Sequence, residues 1–143
     1  MYAESLLQPV PKRRGMGRMH VEIEVSRELH GPTEAVRIEV DSGSDDSALP
    51  RALLKRLGIE PLGWEWYELA DGKRVRRRYG IAFLRLRGEV CATRVIFGTP
   101  HDAPVLGHIA LEQLGFTLDI KRGELRKYQR QRISVRRASV AAA

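Results

Sequence analysis

Asp41-Ser42-Gly43-Ser44 sets a carboxylate among hydroxyls on a loop that contains a glycine. The glycine lets a second stretch of backbone come close, and the hydroxyls are hydrogen-bonding neighbours for the acid. A carboxylate so placed is equipped to act as a general acid or base on a water. The same four residues are also an ordinary turn composition, compatible with a capped loop before a helix. Other residue types that carry chemistry are thinly spread. Cys91 is the one cysteine in the sequence, which excludes an internal disulfide and a thiolate zinc cluster built from a single chain. Val90 and Ala92 beside it point to a core position, and no patterned histidine accompanies it as a catalytic thiol would require. His101 and His108, seven apart across Pro104 and Gly107, lack metal-site spacing and read as loop and helix-start residues. No metal and no other cofactor is expected. Trp64 and Trp66 share one face of a strand and read as sheet packing rather than as a base-stacking platform.

The elements that must position Asp41 are mostly strands. Val21, Ile23 and Val25 alternate with Glu22 and Glu24; after the turn His30-Gly31-Pro32, Val36, Ile38 and Val40 alternate with Arg37 and Glu39. This period of two predicts a β-hairpin that delivers Asp41 at its end. Leu53, Leu54 and Leu57 then mark a helix of about two turns, with Pro50 in its first turn, Ser47 as a candidate cap and Gly58 as its stop. Residues 64–69 and 74–86 flank Ala70-Asp71-Gly72-Lys73, and Asp-Gly between two strand-like runs predicts a projecting hairpin. Strands over 90–97 and at Val105-Leu106 follow. Ala110, Leu111 and Leu114 form one stripe of a second helix that Gly115 closes, and residues 116–120 and 124–127 make a last hairpin across Lys121-Arg122-Gly123. Many short strands with two short helices predict a mostly all-β chain, a small closed or partly closed β-barrel rather than a doubly wound sheet.

The 143 residues suffice for one compact domain. Residues 1–18 read as an N-terminal arm, 19–127 as the domain and 128–143 as a basic C-terminal tail. The net charge of +7 has a location: residues 121–137 hold eight basic side chains against Glu124, while residues 1–120 hold seventeen of each sign. Such a tail can meet phosphates, yet a solvated tail is the favoured interpretation, and nucleic acid is a partner that is not favoured. No run of about 18 apolar residues is present, and residues 1–18 lack the apolar stretch of a secretory signal, so a cytoplasmic location without a membrane partner is expected.

Val40-Asp41-Ser42-Gly43-Ser44, with Ser47, Leu49 and Pro50 following, resembles the active-site signature of retroviral-type (retropepsin-like) aspartic proteases. A second hallmark of that family, two apolar residues and a glycine leading into a helix, is matched by Val105-Leu106-Gly107 before His108. The segment Leu114 to Asp119 with Lys121-Arg122-Gly123 is similar to the closing part of the small bacterial members. The resemblance spans residues 19–127. It implies the small closed β-barrel of the retropepsin-like acid protease fold with one or two short helices, and an aspartic endopeptidase with Asp41 as the catalytic carboxylate. Ser42 would brace the loop, Gly43 would allow close packing beneath the acid, and Ser44 would be a second hydrogen-bonding neighbour.

The family mechanism needs two such aspartates, and no second Asp-Ser/Thr-Gly occurs, since Asp71 precedes Gly72 directly and Asp119 precedes Ile120. The resemblance therefore implies a homodimer in which Asp41 faces its symmetry mate. Ala70, Asp71, Gly72 and Lys73 would form the tip of the flap over a peptide or protein substrate. Here the sequence departs from the usual glycine-rich, apolar flap: Lys73, Arg74, Arg76, Arg77 and Arg78 imply either a preference for acidic substrate flanks or a solvated strand face. Asp45 and Asp46 add acids near the expected dyad and are read as facing solvent or assisting a helix N-terminus. Two alternatives stand beside the protease: a catalytically inactive dimeric peptide-binding or scaffold module of the same fold, and nucleic-acid binding through the basic tail.

Overall fold

The computed structural model describes residues 18–127 and 133–139. The first hairpin joins β1 (Met19–Ser26) to β2 (Thr33–Val40), antiparallel, with Val21 opposite Ile38 and Ile23 opposite Val36. Its alternation is what the apolar and charged residues dictate: Ile23, Val25, Ile38 and Val40 are buried, while Glu22 and Glu24 face solvent. A short strand, β3 (Ser47–Pro50), precedes helix α1 (Arg51–Arg56), which buries Leu53 and Leu54 and stops at Gly58, whose φ of 78° suits a glycine. Next come the long hairpin β4 (Gly63–Glu68) and β5 (Arg74–Leu86), then β6 (Glu89–Gly98) and β7 (Val105–Leu106). Helix α2 (His108–Leu114) and the closing hairpin β8 (Phe116–Asp119) and β9 (Glu124–Lys127) complete the order.

Seven strands form one sheet in the order β1-β2-β7-β3-β6-β5-β4. A further pairing of β1 with β5, Glu24 to Ser26 against Phe83 to Arg85, closes six of them into a ring and leaves β4 outside it. Closure removes the free edges of those strands and encloses a core of Ile23, Val25, Leu49, Leu84, Val95 and Leu106, none more than 1% exposed. Each such side chain stabilises the fold by roughly 1.5–3 kcal/mol relative to exposure. Helix α2 covers one end with Ala110, Leu111 and Leu114 and is ended by Gly115 in the left-handed conformation. The molecule is thus the mostly β, ring-closed sheet with two short helices that the sequence predicts.

Three expectations need correction or limitation. Ser47 is not the cap of α1: it lies three residues earlier in β3, and the N-cap position is Pro50, which makes no side-chain cap bond. Trp64 and Trp66 are not packed into the sheet, being 49% and 55% exposed on the part of the hairpin that projects beyond the ring. The N-terminal arm, apart from Arg18, lies outside the described residues, as do 128–132 and 140–143 of the tail; residues 133–139 are exposed and carry no helix or strand. Among the described residues no helix is long and apolar enough to cross a membrane.

Candidate active site

Asp41 follows directly on β2, and the loop it opens is held from both ends. β2 pairs in parallel with β7, Val40 beside Leu106, and the pairing continues into the loop: the Asp41 N–H donates to the Leu106 carbonyl at 3.0 Å. Within the loop the Gly43 N–H donates to Asp41 Oδ1 at 3.0 Å and the Ser44 N–H to the Asp41 carbonyl at 3.1 Å, which folds the chain back around the carboxylate. The start of α2 takes the other side. The His108 N–H donates to the Ser44 carbonyl at 2.8 Å and the Ile109 N–H to the Asp45 carbonyl at 3.3 Å. Two of the helix's first N–H groups, which have no partner inside the helix, are thereby satisfied by the loop.

Gly107 is the hinge of this arrangement. A Cβ at that position would stand 2.6 Å from both the Asp45 and the Asp46 carbonyl oxygens, so only glycine allows the loop and the helix start to lie this close. Its own N–H is buried and donates to Ser47 Oγ at 3.0 Å. Ser47, 1% exposed, is therefore a structural member of the site, one that the reading of the sequence as a helix cap missed. Its signal was weak, because a serine before a helix is far more often a cap than an internal acceptor.

The polar side chains of the loop bond to its own backbone and to neighbouring elements. Asp41 and Ser44 are partly buried, whereas Ser42 and Gly43 are exposed; Ser44 Oγ donates to the Asp46 carbonyl at 2.8 Å rather than to the Asp41 carboxylate. Asp45 points to solvent and pairs with His108 Nε2 at 3.0 Å, while His108 Nδ1 lies 3.7 Å from Glu112. His108 is thus a helix-start residue, and Asp45 serves α2 rather than α1. Asp46 accepts from the Tyr67 hydroxyl at 3.2 Å, which ties the projecting hairpin to the loop. Burial, helped by the negative charge of Asp46, pushes the Tyr67 phenol up to about 12, so it stays a donor throughout the working range of pH. Among the described residues no group of three or more His, Cys, Asp or Glu side chains is placed to hold a metal ion.

The sequence-predicted residues separate into two groups. Asp41, Ser42, Gly43 and Ser44 are brought together with Val105, Leu106 and Gly107 by the β2–β7 pairing and the hydrogen bonds of the loop. Ala70, Asp71, Gly72 and Lys73 lie at the exposed tip of the hairpin, where Asp71 Oδ1 accepts from the Lys73 N–H at 2.9 Å and Gly72 takes a φ of 88°. Their hairpin reaches the loop through Tyr67. At its base Arg77 makes two hydrogen bonds to Asp102, at 2.9 and 3.2 Å. His101 sits in the exposed turn beside it. Cys91 is half-buried, with burial raising its thiol to about 11.

Comparison with known proteins bears on the fold. No family model matches the chain, and no curated protein does. Among solved structures, EIAV protease bound to an inhibitor superimposes with a TM-score of 0.58 at 18% identity, covering 76% of this chain and 99% of that one. A retropepsin-like aspartic protease from Rickettsia conorii gives a TM-score of 0.46 at 19% identity, covering 75% and 91%. The protease of simian foamy virus (mac) gives 0.45 at 16%, covering 67% and 94%. The first of these establishes that the chain has the fold of the retroviral aspartic proteases, the fold its two sequence hallmarks imply.

Proposed function

We propose that the protein is an aspartic endopeptidase, active as a homodimer, in which Asp41 and its symmetry mate form the catalytic dyad. The observation that carries this reading is the loop itself: Asp41 is fixed by Leu106, the Gly43 N–H and the Gly107 crossing, on a fold shared with EIAV protease. Support for the dimer comes from the chain's single Asp-Ser-Gly and from the exposure of Ser42 and Gly43, which leaves this side of the loop open to a two-fold mate.

Two carboxylates held side by side cannot both ionise readily, so the pair shares one proton and titrates as a unit. The ionised member takes a proton from a water as the water oxygen bonds to the scissile carbonyl carbon. The protonated member gives its proton to the carbonyl oxygen, which stabilises the developing charge. Collapse of the resulting diol breaks the C–N bond while a proton passes to the leaving nitrogen. The hairpin of β4 and β5 is assigned to the flap, with residues 70–73 closing over an extended peptide and Tyr67 setting its height above the Asp41 loop through Asp46.

The test is hydrolysis of a diverse peptide pool from acid to neutral pH by wild type and Asp41→Asn, with sedimentation of both. Asparagine keeps an Oδ1 acceptor for the Gly43 N–H, so the loop is retained while the acid is lost. Turnover falls at least about 100-fold if Asp41 is the general acid or base. Equal cleavage by both proteins refutes the assignment, and a dimer that binds peptides without turnover at any pH replaces it with the binding module.

A further inference from the structure

The flap hairpin has two unlike faces. Side chains alternate along paired strands, so one face carries Glu65, Tyr67, Val75 and Arg77, of which Tyr67 and Arg77 reach down to Asp46 and Asp102. The opposite face carries Trp64 across from Arg78, Trp66 across from Arg76 and Glu68 across from Arg74. All six side chains are exposed. Beyond Arg78 the same side of β5 passes into the ring, where Gly80, Ala82 and Leu84 are buried, so the six residues form a bounded patch on the projecting part of the hairpin, two rings and three cations with Glu68 as its one acid.

The patch is a ladder of alternating cation and ring. Arg78 lies 4.8 Å and Arg76 4.9 Å from the Trp64 ring centroid; Arg74 lies 5.2 Å and Arg76 6.0 Å from that of Trp66. Among the described residues none of the three guanidiniums forms an ion pair, in contrast to Arg77 on the other face. A guanidinium held over a ring by a cation–π contact keeps N–H donors available to an incoming anion. Successive rungs on one strand are about 6.6 Å apart, from two residues at ~3.3 Å each. Two exposed rings beside three cations without ion-pair partners define the complement: a partner with repeating negative charges and flat faces.

We propose that this outer face of the hairpin binds single-stranded nucleic acid, with phosphates on Arg74, Arg76 and Arg78 and bases against Trp64 and Trp66. An acidic peptide would satisfy the arginines but supply no flat faces for the rings, which is why nucleic acid is favoured. The site is independent of the catalytic loop and stands whether or not the chain is a protease.

Trp64 and Trp66 are the only two tryptophans in the chain, so intrinsic fluorescence reports on this face alone. The test titrates the full chain with a twelve-nucleotide oligothymidylate, reading tryptophan emission and the anisotropy of a label on the oligonucleotide. Binding should quench the emission and weaken with salt. Arg74, Arg76 and Arg78 replaced together by Gln should lower the slope of log affinity against log salt by about 2, at ~0.7 for each lost phosphate contact. Trp64→Leu with Trp66→Leu should weaken binding at least fivefold for each ring, the lower bound of about 1 kcal/mol per stacked base. Unchanged far-UV circular dichroism checks that these exposed substitutions leave the fold intact. Binding without quenching would assign the interaction to the basic tail and overturn the proposal, as would no binding at all. Equal quenching by polyglutamate of the same charge would overturn it in favour of an acidic peptide partner.

Discussion

Replacing Gly107 with alanine should damage the protein out of proportion to the methyl group added. The backbone at Gly107 is extended, with φ −85° and ψ 172°, so alanine meets no conformational penalty there and the cost is steric. The new Cβ would stand 2.6 Å from two carbonyl oxygens and 2.8 Å from the Asp46 carbonyl carbon, all of them backbone atoms. An ordinary carbon–oxygen contact is about 3.3 Å or longer, so the Asp41 loop and the start of α2 must part by roughly 0.7 Å. Overpacking of this kind costs about 1–3 kcal/mol by itself. The separation also stretches the Gly107–Ser47, Asp41–Leu106 and His108–Ser44 hydrogen bonds, each contributing about 1 kcal/mol. We expect a loss of about 3–5 kcal/mol, a large part of a typical stability of roughly 5–15 kcal/mol. Urea unfolding followed by circular dichroism measures it, as a fall in midpoint of about 2 M for a slope of ~2 kcal/mol/M. Gly72→Ala is the control, because Gly72 has φ 88° and a Cβ added there would meet no atom within 4 Å, so it costs only the left-handed penalty of about 1–2 kcal/mol. A loss for Gly107→Ala of no more than about 0.5 kcal/mol, the size of an ordinary surface substitution, or one milder than that of Gly72→Ala, would refute the close-crossing explanation.

Other substitutions address the supports of the same loop and the chain's reactive groups. Ser47→Ala leaves the buried Gly107 N–H without its acceptor and should cost about 1–3 kcal/mol in the same unfolding assay, with Ser47→Thr recovering part of it. Asp102 is held below the usual carboxylate range: its partial burial acts in the opposite direction, but the bonds from Arg77 and from the Thr99 N–H outweigh it. Because the folded value is the lower one, its stabilising effect is full above the unfolded value of about 3.9 and is lost as pH falls through the folded value. The stability difference between wild type and Asp102→Asn should therefore shrink as pH drops below about 4, and a difference independent of pH would contradict it. With its thiol raised by burial to about 11, Cys91 should react with iodoacetamide at pH 8 about 100-fold more slowly than a free thiol and reach the free rate in urea.

What was legible in the sequence is what is local. The alternation of Val21 to Val25 with Val36 to Val40 marked the first hairpin, the Asp71-Gly72 turn located the projecting one, and Gly115 located the end of α2. The second hallmark segment was readable because Gly107 answers to backbone contacts that no other residue permits. The parts not legible depend on distant partners. Strand β3 is four residues long, and only its pairings with β6 and β7 make Ser47 a sheet residue instead of a helix cap. The β1–β5 closure joins residues about sixty apart through three pairs, too few to leave a pattern. Trp64 and Trp66 have strand spacing whether buried or bare; it took the arginines across the hairpin to settle which.

The parallel pairing of Val40 with Leu106 also sets a clock on synthesis. Asp41 leaves the ribosome well before the residues that grip its loop, and at about 5–20 residues per second the interval is roughly 3–13 s. During that time the Asp41 N–H, the Ser44 and Asp45 carbonyls and the Ser47 hydroxyl have no partner from the β7–α2 junction. A nascent chain cannot hold its carboxylate in working geometry until Ile109 has emerged. Under the proposed function, which also requires two copies, neighbouring proteins on the same polysome would be spared cleavage by an unfinished chain.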